Sequence, residues 1–236
     1  MSQVYGSALI AGLSVVLAAC SSGETSRPGF PRTEITPIEG APFPYAAPED
    51  VGMSEQPLWL VMERLYSRVV ARHLVGSEIL VIKDSRIVLH QAMGWADIDR
   101  AMPMERNSVF RIASMTKPFV GTATLLLVEQ GQIGLEDRIA AHLPSSDNPR
   151  SGAITVRQLL THRSGFAQGA EPPGYASAPS LQDAVDLLGA QGPDFQPGED
   201  FIYSNLNSET LGALIQVVTG EPVEKILEQQ IIDPLG

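Results

Sequence analysis

The chain has 236 residues, of which 44% are hydrophobic, and its formal net charge at pH 7 is −11. A chain of this length and composition can bury a core of one domain or one and a half, so a disordered protein is excluded. The sixteen lysines and arginines are scattered. Because nucleic acid requires a concentrated basic face, it is not an expected partner.

The first twenty residues resemble an export signal. An apolar stretch covers residues 8–19, about half of the roughly 20 residues that a membrane-spanning helix needs. It ends in the segment LAAC, residues 17–20, which looks like a bacterial lipobox and contains the only cysteine, Cys20. We predict a lipoprotein signal peptide over residues 1–20, with lipidation of Cys20 and anchoring to the bacterial cell envelope. The alternative is an ordinary apolar helix, which the lack of Lys or Arg before the stretch leaves open.

Residues 21–50 are rich in Pro, Gly and Ser and show no hydrophobic period, which predicts a tether. Residues 51–236 are expected to form the globular part. Hydrophobic periodicity predicts one helix, a β-hairpin and then a mostly helical region, which together indicate an α+β fold. In chain order, the predicted elements are a helix capped by Ser54, strands 78–83 and 86–93, and five further helices. These helices are 114–131, a short one that starts at the capping box 155–158, 181–188, 207–218 and 222–232.

Ser114 and Lys117 stand at the start of the predicted helix 114–131. Serine becomes a nucleophile when a neighbouring base takes its proton, and lysine can be that base only when its amine is neutral. Positions i and i+3 share a helix face, and the unpaired N–H groups of a helix N-terminus suit a developing oxyanion. Pro118 requires the helix to begin within a few residues of Ser114. A capping serine beside a solvated lysine would give the same pattern.

A second polar segment, Tyr203-Ser204-Asn205, precedes the predicted helix 207–218. A phenol held near an ammonium is shifted toward phenolate and can act as a general base. An asparagine amide can bind a substrate carbonyl and steady the lysine. The alternative is a buried tyrosine followed by an asparagine helix cap.

S-x-x-K followed about ninety residues later by Y-S-N resembles the penicillin-recognising serine hydrolases. The closest likeness is to the group of class C β-lactamases, D-alanyl-D-alanine carboxypeptidases and β-lactamase-fold carboxylesterases. The blocks ITVRQLLTHRSGF, FQPGEDFIYSN and IIDPLG look like family segments in the family's order, so the resemblance covers about residues 50–236. It implies a β-lactamase/transpeptidase-like fold, with a helical region and an antiparallel sheet of which only the N-terminal hairpin is present.

The resemblance also implies roles for single residues. Ser114 would be the acylated nucleophile, Lys117 its proton-accepting partner, Tyr203 the base for acylation or deacylation, and Asn205 an amide that orients the substrate. It implies no cofactor. The family's third motif, a K-T-G or H-x-G triad on a strand, is expected only beyond residue 236. The chain is therefore expected to be the N-terminal part of a longer hydrolase, and to be inactive and poorly folded alone.

The histidines are not expected to be catalytic. His162 suggests a Ser-His pair, but its block matches a non-catalytic family segment, so a structural role in a loop is predicted. His73, His90 and His142 lie singly, with no second ligand at metal spacing, so no metal site is proposed.

The function predicted from the sequence is a serine hydrolase that acts through an acyl-enzyme on Ser114. Its substrate would be an ester, a β-lactam or a peptidoglycan stem peptide, and an esterase is favoured over a β-lactamase. The alternatives are a D-alanyl-D-alanine carboxypeptidase-like enzyme and a non-catalytic envelope lipoprotein that binds cell-wall ligands. A purely structural envelope protein is the third possibility, and the oligomeric state stays open.

Overall fold

A computed structural model describes residues 37–235 of the chain. The chain divides into two compact units, one extending to Phe110 and the other beginning at Arg111. The predicted signal peptide, its Cys20 and the first part of the tether lie outside the described residues. None of the helices within residues 37–235 is both long and apolar enough to span a membrane.

The first unit combines one long helix with a small antiparallel sheet. Helix α1 (Glu55–Val70) is followed by strands β1 (Gly76–Lys83), β2 (Arg86–Asp97) and β3 (Met102–Pro103), in the spatial order β1-β2-β3. One face of the sheet and one face of α1 bury a common cluster centred on Met62, Leu89 and Met93. The predicted helix and hairpin are therefore confirmed. Ser54 has the extended backbone of a cap, but its side chain makes no capping hydrogen bond.

Two features of this unit differ from the sequence-based expectation. The sheet is more than a hairpin, because β3 pairs with the end of β2 at Trp95 and Asp97. The predicted tether also ends before residue 50: the Ile87 amide donates to the Pro44 carbonyl at 2.9 Å, and the Ala46 amide donates to the Ile87 carbonyl at 3.0 Å. Residues 44–46 thus lie along β2, a long-range pairing that no local pattern announces.

The second unit is helical. Its helices are α2 (Thr116–Glu129), α3 (Val156–Leu160), α4 (Leu181–Gln191), α5 (Asn205–Thr219), α6 (Val223–Leu227) and, after a π-helical turn over Glu228–Ile232, α7 (Asp233–Leu235). Helix α2 buries Val120, Ala123, Thr124 and Leu127, which share one face by their spacing of three and four. The buried Thr124 hydroxyl donates to the Val120 carbonyl at 2.9 Å, so no polar atom of this side chain is left unpaired.

The helix boundaries of this unit follow local capping chemistry. The predicted capping box is present: Gln158 N donates to Thr155 Oγ1 at 3.3 Å, and Thr155 N donates to Gln158 Oε1 at 2.9 Å. Helix α5 ends at Gly220 with φ of 72°, as predicted. It begins earlier than predicted, because the Ser204 hydroxyl accepts from Leu206 N at 3.2 Å and caps the helix. The cap is therefore Ser204, not Asn205.

Candidate active site

Ser114 lies in a 3-10 turn, Ala113–Met115, that leads directly into α2. Ala113 has φ of 46°, in the left-handed region, which costs a residue with a β-carbon about 1–2 kcal/mol. Pro118 is the third residue of α2, where its missing N–H breaks no intrahelical bond. The helix thus starts within a few residues of Ser114, as the proline required, and a strained residue immediately precedes the serine.

The Lys117 ammonium joins the start of α2 to the start of α5. Its Nζ donates to Ser114 Oγ at 3.2 Å and to Asn205 Oδ1 at 2.6 Å. It also lies 4.7 Å from the centroid of the Tyr203 ring, within the range of a cation–π contact. The structure therefore brings together all four residues singled out in the sequence, although 88 positions separate Lys117 from Asn205.

Tyr203 is 47% exposed beside the lysine. Hydrogen bonding to Lys117, and secondly to Ser114, lowers the pKa of the Tyr203 phenol against the opposing effect of desolvation, and the charge of Lys117 adds to the lowering. A phenol with a lowered pKa releases its proton more readily and can then accept one from a serine hydroxyl. The alternative interpretation of the sequence predicted a buried tyrosine at this position, whereas Tyr203 is exposed at the site.

Asn205 is held from two sides. Its Oδ1 accepts from Lys117, and its backbone N donates to Gln168 Oε1 at 2.9 Å. Since Oδ1 is committed to the ammonium, Nδ2 is the atom that can donate to a substrate carbonyl. Sequence reasoning missed Gln168, which follows the block LLTHRSGF by two positions; that closeness was the only signal.

His162 belongs to the same neighbourhood. Its ring lies 4.7 Å from the Tyr203 ring, centroid to centroid, and its Nδ1 accepts from the Ser204 backbone N at 3.3 Å. The structure thus places His162 behind the Tyr203 segment, in contact with the backbone of the loop.

A cavity of about 430 Å³ opens beside the serine. Ser114, Lys117 and Asn205 line it, and Glu209 and Glu224 add two carboxylates. The rest of its wall is mainly apolar and includes Val120, Leu181, Val223 and Leu227. This volume and lining are typical of sites for small organic ligands.

The sequence profile of the Beta-lactamase family matches residues 62–236. Protein flp of Staphylococcus aureus (strain NCTC 8325 / PS 47) is 30% identical over 168 residues, which are 69% of this chain and 34% of flp. Penicillin-binding protein 4* of Bacillus subtilis (strain 168) is 30% identical over 182 residues, 74% of this chain and 40% of that protein. The chain thus spans well under half the length of these relatives.

Solved structures agree with the match to the Beta-lactamase family. EstCE1, described as a hydrolase with promiscuous acyltransferase activity, superposes with a TM-score of 0.67 at 28% identity and covers 76% of this chain and 51% of EstCE1. D-amino acid amidase from Ochrobactrum anthropi SV3 gives a TM-score of 0.63 at 31% identity, over 74% of this chain and 49% of the amidase. The expected β-lactamase/transpeptidase-like fold is confirmed, and the chain belongs to the Beta-lactamase family.

Proposed function

We propose that the protein is a serine hydrolase that forms an acyl-enzyme on Ser114, with an ester as its preferred substrate. The observation that carries the proposal is the position of Lys117 Nζ, within hydrogen-bonding distance of both Ser114 Oγ and Asn205 Oδ1. A nucleophile, a base in contact with it and a third group that orients the base form the arrangement on which nucleophilic catalysis depends.

Acylation begins when the base removes the Ser114 hydroxyl proton. The serine Oγ bonds to the substrate carbonyl carbon, the carbonyl oxygen takes up the negative charge, and Asn205 Nδ2 donates to the acyl portion of the substrate. As the bond between the acyl carbon and the leaving group breaks, the base gives the proton to the leaving group. Water then attacks the acyl carbon while the same base takes a proton from it; the bond between this carbon and Ser114 Oγ breaks, the base returns the proton to Oγ, and the acid is released. Lys117, as a neutral amine, and Tyr203, as a phenolate, are the two candidate bases.

The apolar cavity beside Ser114 supports a substrate with a small apolar acyl group. The similarity to EstCE1 supports an ester, and the similarity to D-amino acid amidase makes an amide the second candidate. A β-lactam or a peptidoglycan stem peptide is a further alternative, consistent with the likeness to penicillin-binding protein 4*. A lipoprotein that only binds such ligands would use the same cavity without acylation.

Active-site labelling of the full-length protein tests this proposal. A fluorophosphonate probe and a penicillin probe are applied separately, and the adduct is located by mass spectrometry. We expect a fluorophosphonate adduct on Ser114, none in Ser114→Ala, and turnover of short-chain nitrophenyl esters. Labelling by penicillin with slow ester turnover would favour the penicillin-binding alternative. Ligand binding with no adduct from either probe would replace the hydrolase with a binding lipoprotein.

We also propose that Cys20 is lipidated and that the protein is held at the bacterial cell envelope. The lipobox-like LAAC segment and the absence of any other cysteine support this. A lipid anchor attached through a Pro-, Gly- and Ser-rich segment would leave the hydrolase unit in water.

A further inference from the structure

The turn that contains His162 is hydrogen-bonded to the segment that carries Tyr203 and Asn205. Ile202 N donates to the His162 carbonyl at 2.9 Å, and Gly198 N donates to the Arg163 carbonyl at 2.7 Å. Two backbone hydrogen bonds thus connect the His162 turn to the segment just before Tyr203. His162 has φ of 55°, in the left-handed region.

The side chain of His162 adds a second connection that depends on its protonation state. Ser164 Oγ accepts from Phe166 N at 3.1 Å and donates its own hydrogen to Asn207 Oδ1. This fixes the orientation of the Asn207 amide, and its Nδ2 therefore faces His162 Nδ1, 3.0 Å away. Since the Ser204 backbone N also donates to this atom, Nδ1 meets two donors and must carry no proton. The hydrogen of the neutral ring is then on Nε2.

We propose that His162, in its neutral form, is a positioning residue that helps to hold the Tyr203-Ser204-Asn205 segment against Lys117, and that protonation of its imidazole loosens this segment by breaking the two hydrogen bonds at Nδ1. The imidazole packs against the Tyr203 ring at 4.7 Å with an interplanar angle of 35°, so it supports the phenol as well as the backbone. The effect on activity rests on the proposed function, whereas the effect on stability does not.

The charged surroundings reinforce this dependence on protonation. The Lys117 ammonium approaches from α2 and the Tyr203 phenol from the segment before α5, while α5 itself contributes the uncharged Asn207. The flanking Arg163 guanidinium donates to the Glu199 carbonyl at 3.4 Å. Burial, and secondly the charge of Lys117, lower the pKa of His162. A protonated ring would point a donor at two donors and add a second cation beside the first.

The direction of the pH effect follows from this lowered pKa. Below the ordinary histidine pKa of about 6.5, the unfolded chain takes up a proton that the folded protein resists, so stability falls as the pH falls. The loss stops growing once the pH is below the lowered pKa of the folded state. The fall of activity with falling pH follows the pKa of His162 in the folded state. Around that pKa, the loss caused by protonation of His162 adds to the loss caused by protonation of the catalytic base.

Two variants separate the roles of the ring and of its acceptor atom. His162→Asn keeps an acceptor near the position of Nδ1, cannot be protonated, and tolerates the left-handed backbone. His162→Phe keeps the contact with the Tyr203 ring but removes the acceptor, which leaves the Ser204 backbone N unpaired and Asn207 Nδ2 with only the Ser204 carbonyl at 3.5 Å. In the full-length protein at about pH 7.5, we expect His162→Asn to keep kcat/KM within about fivefold and His162→Phe to lose at least about tenfold, mainly in kcat.

The deciding measurements are kcat/KM for a nitrophenyl ester and the melting temperature between about pH 4 and 8. In the wild type, the slope of log kcat/KM against pH on the acid side should rise from one to two as the pH falls. The melting temperature should also fall on acidification. Both effects should be smaller in His162→Asn. Full activity of His162→Phe would overturn the positioning role, and identical pH profiles of wild type and His162→Asn would overturn the protonation step. If the wild type hydrolyses nothing, the proposed function fails, and the melting profiles still decide whether protonation of His162 destabilises the folded protein.

Discussion

At the scale of single residues, Lys117 is the group on which the candidate site depends. It contacts each of the other three predicted site residues. Its removal takes away one of the two candidate bases beside Ser114, removes the hydrogen bond and the charge that lower the pKa of the other, Tyr203, and leaves Asn205 without the donor that orients its amide. Loss of Lys117 should therefore damage both proton transfer and substrate orientation.

We expect Lys117→Met to lower kcat/KM for an ester substrate by about 10²–10⁴-fold, the usual contribution of a positioned general base. The methylene stem is retained, so the melting temperature should change little. Lys225→Met is the matched control, because Lys225 makes only an exposed ion pair with Glu221 at 2.8 Å. Equal activity of the two variants would show that Lys117 takes no part in the reaction.

Four site residues could be predicted from the sequence, and their neighbours could not. Ser114, Lys117, Tyr203 and Asn205 stand in short motifs at helix starts, where residue type and spacing point to chemistry. Gln168 and Asn207 act through contacts across 37 and 45 positions, with Asn205 and His162 respectively. A single glutamine or asparagine has no local pattern that reveals such a partner. The roles of the four predicted residues stay predictions until the serine is labelled.

At the scale of elements, the close approach of the His162 turn to the segment before α5 depends on one glycine. Gly165 has φ of 89°, and a β-carbon at this position would lie 2.3 Å from the Phe195 carbonyl oxygen. The Asp194 amide donates to the Gly165 carbonyl at 3.0 Å, so the two backbones cannot separate without losing this bond.

We expect Gly165→Ala to lower the free energy of unfolding by at least about 3 kcal/mol, which combines left-handed strain with a steric clash. Gly131→Ala is the matched control, since Gly131 has φ of 72° and no atom within 4 Å of an added β-carbon. It should cost about 1 kcal/mol. Urea unfolding of both variants measures the difference, and equal losses would contradict the close approach.

Tyr175 connects the 3-10 turn Tyr175–Ser177 to α5, because its hydroxyl donates to Glu209 Oε2. Burial first, then the hydrogen bond and charge of Glu209 and the charge of Glu171, raise the pKa of Tyr175. A pKa raised by folding means that the unfolded chain loses this proton first. The resulting stability is present below the ordinary tyrosine pKa of about 10 and declines as the pH rises above it.

We therefore expect the wild type to lose more unfolding free energy than Tyr175→Phe between about pH 9 and 11. At neutral pH the variant should be less stable by about 1–2 kcal/mol, because the Glu209 carboxylate loses its donor. Chemical unfolding at a series of pH values tests both statements. Parallel pH profiles of the two proteins would show that the phenol is not protected by folding.

Helices were more predictable than sheet pairing. The spacing of apolar residues in α1 and α2 and the capping box of α3 are local patterns, and the structure confirms them. Strand β3 has two residues, too few to show alternation, and the pairing of Pro44 and Ala46 with Ile87 joins distant parts of the chain. Helix α6 also departs from the regular pattern, because Pro222 is its cap and a π-helical turn follows it. Such features depend on tertiary contacts that periodicity does not encode.

At the scale of the whole molecule, the proposed anchor predicts where the protein is found. We expect the full-length protein to fractionate with bacterial membranes and to incorporate labelled fatty acid, because an acylated N-terminal cysteine binds stably to lipid. Cys20→Ala should abolish the label and the membrane association. Ser21→Ala, which leaves the cysteine in place, is the control. Labelled fatty acid in Cys20→Ala would rule out this cysteine as the anchor.

Strand β1 has a consequence for handling the first unit. Among residues 37–110, β1 pairs only with β2, and its Leu80 and Ile82 side chains are 48% and 43% exposed. An apolar strand with an open edge is a template for the strand of another molecule. Residues 37–110 expressed alone would therefore favour intermolecular β-pairing at high concentration. The charge of Lys83 is paired with Asp84 at 2.8 Å, so it would offer little electrostatic protection against fibre growth.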